Sequence, residues 1–197
     1  MQYAALFRAI WNARPFGRFA IACMLVFALC PAVSHADEYA DVRHLAAQGR
    51  VNEALAKAAA YIASKPRDPQ MRFLRGVILS EQGRRAEAIQ AFIGLTQEFP
   101  ELPEPYNNLA ALYAAQSQLD QARAALEKAI QLNPGYATAH ENLGDVYMRL
   151  AAQSYERAQQ LEPSNGSVAP KLRAIRELTA PKTTGPKPGA ATAPIDK

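Results

Sequence analysis

The sequence predicts an all-α fold, a row of helical hairpins stacked on one another, and three observations predict it. Through Tyr106–Pro134 apolar residues recur at i, i+3, i+4 and i+7. One stripe holds Tyr106, Leu109, Ala110 and Tyr113, and a second holds Leu119, Ala122, Leu126, Ala129 and Ile130. Ser117-Gln118 interrupts the pattern between them and Asn133-Pro134 stops it, so the stretch reads as one hairpin of two helices. Steps of 34 residues then connect Pro134 with Pro100 and Pro66, Ala122 with Ala88 and Ala54, and Ser117 with Gly83 and Gly49. The stripes are narrow and rich in small residues, so no hairpin closes a core alone and copies must stack.

A 34-residue period with this content resembles the tetratricopeptide repeat, whose pattern runs aromatic, Leu-Gly, Tyr, turn Gly, Ala, aromatic or Leu, Ala and a closing Pro. The third repeat matches with Tyr106, Leu109, Ala110, Tyr113, Ala122, Leu126, Ala129 and Pro134. The second, residues 69–102, matches with Gly76, Gly83, Ala88, Phe92 and Pro100, but places Arg75 where Leu is usual and Leu95 where Ala is usual. The first, residues 35–68, keeps only Leu45, Gly49, Ala54 and Pro66. The resemblance implies a solenoid of three such repeats, a fourth with fused helices and a short C-terminal capping helix.

Taken in order, the chain opens on an address. Arg8, Arg14 and Arg18 precede the 12 apolar residues Phe19–Cys30, and Ser34-His35-Ala36 places small residues before Asp37. Basic region, short apolar run and small-x-small site make residues 1–36 a secretory signal peptide, cleaved so that the protein begins at Asp37. Retention as an inner-membrane anchor is the alternative, although 12 apolar residues are short for a bilayer core of about 30 Å. Loss of the three arginines leaves 19 basic residues against 18 acids, a net charge of +1 instead of +4. The basic character of the whole chain therefore implies no nucleic-acid partner. Both cysteines, Cys23 and Cys30, leave with the signal, so the remainder carries no thiol chemistry.

The solenoid domain is expected over residues 37–179. Asp37 is a candidate N-cap for a first helix with Tyr39, Val42, Leu45 and Ala46 on its apolar face. Its partner, from Ala54, is nearly all small side chains, as in a weak terminal cap. The second repeat is the apolar heart, with Met71, Phe73, Leu74, Val77, Ile78 and Leu79 exceeding what one buried face requires. Gly94, in a helix interior, suggests close approach of another helix. In the fourth repeat His140, Leu143, Gly144 and Tyr147 fall in register, with His140 at a position usually held by a packing aromatic, so expected in the core or an interface, and Tyr147 a candidate ring between helices. Its closing Pro163 arrives five residues early and no breaker falls between Asp145 and Pro163. The spacing predicts one continuous helix over 138–161. A loop, 162–167, and a short helix, 170–178, with Leu172, Ile175 and Leu178 on one side, follow. Residues 180–197, rich in Pro, Ala, Thr and Lys, are expected to be disordered.

No P-loop, zinc-protease, redox CxxC or nucleophile-elbow motif occurs, and His44 and His140 have no nearby ligand partners. No enzyme activity, metal or cofactor is therefore expected. The tetratricopeptide resemblance implies instead a concave groove lined by the first helices of successive repeats, taking an extended peptide or a helix. By the period, groove positions are Tyr39 and Arg43, then Gln70, Phe73, Val77 and Ser80, then Glu104, Asn107 and Ala111, then Thr138, Glu141 and Asp145. Asn108 and Asn142 stand beside this line, where the family often holds a peptide backbone. Phe73 would anchor the middle, Arg43 would charge one end and Glu141 with Asp145 the other. The carboxylate clamp of the chaperone-binding members is not reproduced. The function implied is a non-catalytic periplasmic adaptor for a protein or peptide of the cell envelope. Alternatives are a permanently bound subunit or regulator of an envelope enzyme or secretion complex, and a membrane-anchored scaffold.

Overall fold

The computed structural model describes residues 35–179, all of whose regular structure is helical. The helices are α1 (His35–Ala47), α2 (Val51–Ser64), α3 (Pro69–Glu81), α4 (Arg85–Glu98), α5 (Pro103–Ala115), α6 (Leu119–Leu132), α7 (Ala137–Leu161) and α8 (Val168–Thr179). They form three hairpins, then a long helix with a short one folded against it. Residues 1–34 of the signal segment and the tail lie outside the described residues, while His35 and Ala36 begin α1. Asp37, expected to cap the first helix, lies inside α1.

The hairpin turns repeat in phase. Gly49 and Gly83 hold φ of 76° and 70°, and Ser117, one period on, holds 60°. All three occupy the left-handed region that relieves a helix C-terminus and reverses the chain. Each following helix begins on a residue of the same phase. Arg50 donates from Nε and Nη2 to Glu53, and Arg84 donates likewise to Glu87. Pro69 and Pro103 open α3 and α5 at positions where a missing N–H costs nothing.

Three apolar clusters run along the array, and each joins a hairpin to the next one. The first holds Val42, Ala54, Ala58, Tyr61, Met71, Leu74 and Ile78. The second holds Phe73, Val77, Leu79, Ala88, Phe92, Leu95, Leu109 and Leu112. The third holds Ala110, Leu119, Ala122, Leu126, Ala129, Ala139 and Val146. Helix α3 thus feeds two clusters from its two sides, which explains its excess of apolar residues. Phe92 is fully buried, which is worth about 2–3 kcal/mol for a side chain of that size. Its ring lies against Gly76, where a Cβ would stand only 2.8 Å from Phe92 Cε1. The close approach expected at Gly94 is therefore found at Gly76. At Gly94 a Cβ would meet Arg72 Nη2 at 3.6 Å, an ordinary contact.

Helix α7 is continuous over 25 residues, as the missing turn predicts. Leu143 and Leu150 pack as expected, but Ala139 and Val146 take the buried places expected for His140 and Tyr147. Ala139 and Val146 are buried, Leu143 and Leu150 partly so, while Tyr147 is 48% exposed with its hydroxyl 3.3 Å from Glu127 Oε1. His140 is likewise exposed, and its Nε2 lies 3.0 Å from the Pro134 carbonyl. The seven-residue step from Ala139 to Val146 places two small side chains in the cluster with Ala110, Ala122, Leu126 and Ala129. Helix α8 buries Val168 and Leu172 against α7, held by Arg176 to Glu156 at 3.3 Å and Lys171 over the Tyr155 ring at 5.3 Å. Leu178, expected on the apolar side, is 69% exposed.

Candidate functional site

The first helices of successive repeats, α3, α5 and α7, lie side by side, and α5 and α7 are joined across one period plus one residue. Asn142 Nδ2 donates to Asn107 Oδ1 at 2.9 Å, and Arg149 Nη1 donates to the Ala114 carbonyl at 2.8 Å. Asn107 is 7% exposed, the buried polar residue among those described, and the bond from Asn142 meets its need for a partner. Arg149 places its charge on the carbonyl end of α5, where a cation is favoured.

Between α5 and α7 lies a cavity of about 330 Å³. Ala110, Ala111 and Ala114 line it from α5, with Leu126 from α6 behind them. Asn142, Asp145, Val146 and Arg149 line it from α7, one residue per turn or nearly so. Leu178 and Thr179 reach it from the end of α8. The alanines give it depth, because a larger side chain on α5 would fill it. Asp145 and Glu141 are exposed and form no ion pair or hydrogen bond among the described residues, so this face carries two carboxylates beside the one guanidinium of Arg149.

Of the groove residues expected from the sequence, Ala111, Asn142 and Asp145 meet in this cavity, with Asn107 bonded to it and Glu141 one turn away. Asn108 lies beside them, yet its Nδ2 donates to the Glu104 carbonyl one turn back, at 2.9 Å, so its donor is engaged within its own helix. Phe73 and Val77 are core residues rather than open anchors. Phe73 is 6% exposed, and its ring packs 5.6 Å from that of Phe92. Arg43 is exposed on α1, away from the cavity.

Tyr39 serves a different purpose from the one expected. Its hydroxyl donates to Asp68 Oδ2, which also accepts from Tyr61 Oη at 2.7 Å, and the two rings lie 5.4 Å apart. Asp68 Oδ1 accepts from the Gln70 N–H at 2.9 Å and so caps α3. Burial pushes the Tyr39 hydroxyl well above its ordinary value, reinforced by the bond to Asp68. Burial alone would raise the Asp68 carboxyl, but the two hydroxyls and the N–H groups of Gln70 and Met71 outweigh it and hold it below the usual carboxylate range. The cluster ties α1, α2 and α3 together. Farther along, burial raises the Tyr136 hydroxyl, with the Glu104 carboxylate adding to it.

Sequence reasoning missed Arg149, Ala114, Leu178 and Thr179. Arg149 could have been found, since it continues the Asn142–Asp145 face at i+7 and i+4. The approach of α8 leaves no trace in the spacing. Among the described residues no cluster of side chains could hold a metal ion, and no helix is long and apolar enough to cross a membrane.

Comparison with known proteins gives a consistent picture. Family models described as tetratricopeptide repeat and TPR repeat match residues 39–103 and 112–150. A chloroplastic tetratricopeptide repeat domain-containing protein of Arabidopsis thaliana, PYG7, is 34% identical over 96 residues, 46% of this chain and 31% of that protein. The TPR repeat-containing thioredoxin TTL4 of the same plant is 33% identical over 75 residues, 38% of this chain and 11% of that protein. The match therefore spans less than a third of either relative. Among solved structures, MamA superposes with a TM-score of 0.53 at 20% identity, covering 69% of this chain and 82% of that one. A thermophilic TPR protein of Thermus thermophilus gives 0.53 at 22% identity, covering 74% and 82%. The first TPR domain of human RPAP3 gives 0.55 at 18% identity, covering 59% and 92%. These likenesses establish the fold.

Proposed function

Because this chain belongs to the tetratricopeptide-repeat family, we propose that it is a non-catalytic periplasmic adaptor that binds a protein or peptide partner of the cell envelope. The observation that carries the reading is the cavity between α5 and α7. It combines an alanine floor, an amide pair at Asn107–Asn142, an unpaired Asp145 and a fixed Arg149. Such a surface has an apolar depression for a side chain and polar atoms for a peptide backbone, the ordinary equipment of peptide recognition. Nothing in it resembles an activated nucleophile or an acid–base pair. The periplasmic part of the reading is supported by the basic, apolar and small-x-small order of residues 1–36.

Ala111 is exposed and lines the cavity, so Ala111→Trp should fill it without disturbing the core. A displayed library of random peptides should yield a consensus on the unaltered protein and none on the variant. Equal consensus sequences from both proteins would sink the groove. The export half has its own test: N-terminal sequencing of protein released by osmotic shock should begin at Asp37, and a membrane-bound chain beginning at Met1 would replace it with the anchored scaffold.

A further inference from the structure

We propose that residues 180–197 of this same chain occupy the cavity between α5 and α7, with Lys182 against Asp145, so that an external partner must displace them. This rests on the reading of that cavity as a peptide site and names its resting occupant.

The first support is where the described chain leaves off. Thr179 lines the same cavity as Asp145. Lys182 follows three residues later, and three extended residues cover at most about 11 Å, so its backbone stays within that distance of Thr179. The second support is charge. Asp145 and Glu141 are exposed and form no ion pair or hydrogen bond among the described residues, two carboxylates against the single guanidinium of Arg149, which is held on the Ala114 carbonyl. Residues 180–197 hold Lys182, Lys187 and Lys197 against Asp196 alone. The third is apolar surface. Leu178 is 69% exposed at the cavity's edge beside alanines and Val146, and Pro181 with the lysine stem could cover it. Pro181, Pro186, Pro188 and Pro194 carry no N–H, so the sequence of this segment disfavours helix.

Tethering decides the balance. A segment joined to its site by a few residues is present at an effective concentration on the order of millimolar, so a contact too weak to hold between molecules is held within one. A partner with the same chemistry, a lysine-bearing extended peptide, would meet an occupied site and bind about tenfold more weakly than to an empty one.

The test uses the full chain. A zero-length carbodiimide joins only carboxylates and amines already in contact. Applied to a mixture of ¹⁴N- and ¹⁵N-labelled protein, it should link Lys182 to Asp145 or Glu141 within single copies, less so in high salt. Links of Lys182 spread evenly over Asp145, Glu127 and Glu156, or formed mainly between differently labelled copies, would overturn the proposal. A second arm titrates a synthetic peptide of residues 180–191 against the unaltered chain and a Lys182→Glu/Lys187→Glu double variant. The variant should bind about tenfold more tightly, and equal affinity removes the tail from the site while leaving the groove. Failure of both proteins to bind it, with random-peptide selection unaffected by Ala111→Trp, rejects the groove itself.

Discussion

Ser117 holds φ at 60° in a turn where its two counterparts are Gly49 and Gly83. A residue with a Cβ is strained there by about 1–2 kcal/mol, part of which glycine gives back as chain entropy. Ser117→Gly should raise stability by about 1 kcal/mol, read as an upward shift of the thermal midpoint; an unchanged midpoint would mean that the serine is already accommodated. The opposite sign is expected at Gly76. Gly76→Ala would press a methyl group into the buried Phe92 ring and should cost about 1–3 kcal/mol in a urea titration. Ser117 was legible as a turn because it sits one period from two glycines, whereas the confinement at Gly76 was not, since spacing does not say how close Phe92 comes. Phe73 failed for a related reason. Helix α3 shows an excess of apolar residues, and the excess reads equally as an open groove or as packing on two sides.

At the scale of elements, α7 was legible in length and at Leu143 and Leu150, and misjudged at His140 and Tyr147. The missing turn and the absent breaker fix one long helix, but a pattern of mixed small and large residues leaves its facing uncertain by one position, which separates Val146 from Tyr147. Val146→Ala should therefore cost about 1–2 kcal/mol and Tyr147→Ala less than about 1 kcal/mol, compared by chemical denaturation of the two variants. The reverse order would restore the original facing. The facing of α7 sets the site. It points Asn142, Asp145 and Arg149 at α5, so the acidic end of the groove could be read from sequence, while its arginine and its far wall required the packing of α8.

Across the whole molecule, the polar cluster of Tyr39, Tyr61 and Asp68 fastens the N-terminal hairpin to α3. The folded chain holds the Asp68 proton less tightly than the unfolded chain. Its contribution is complete above about pH 4 and is lost as pH falls through the depressed folded value. Tyr39 is shifted the other way. Its contribution is complete below about pH 10 and fades as pH rises toward the raised folded value. Urea midpoints should accordingly fall at both extremes, and Tyr39→Phe should abolish its share of the alkaline fall and shrink the acid one. An identical profile in the variant would remove the cluster as the cause. The cluster was hidden in the sequence because Tyr39, Tyr61 and Asp68 belong to three different helices or their caps. The repeat count, by contrast, was plain, because proline, glycine and alanine recur in one phase. In a stacked array an internal unit buries both its faces against neighbouring hairpins, and a unit at an end needs a cap. A 34-residue unit duplicated after Leu102 would find such neighbours, whereas one added after Leu161 would meet a lone helix already covered by α8. A fourth repeat five residues short of the period therefore leaves no hairpin face beyond Leu161 on which a further unit could stack.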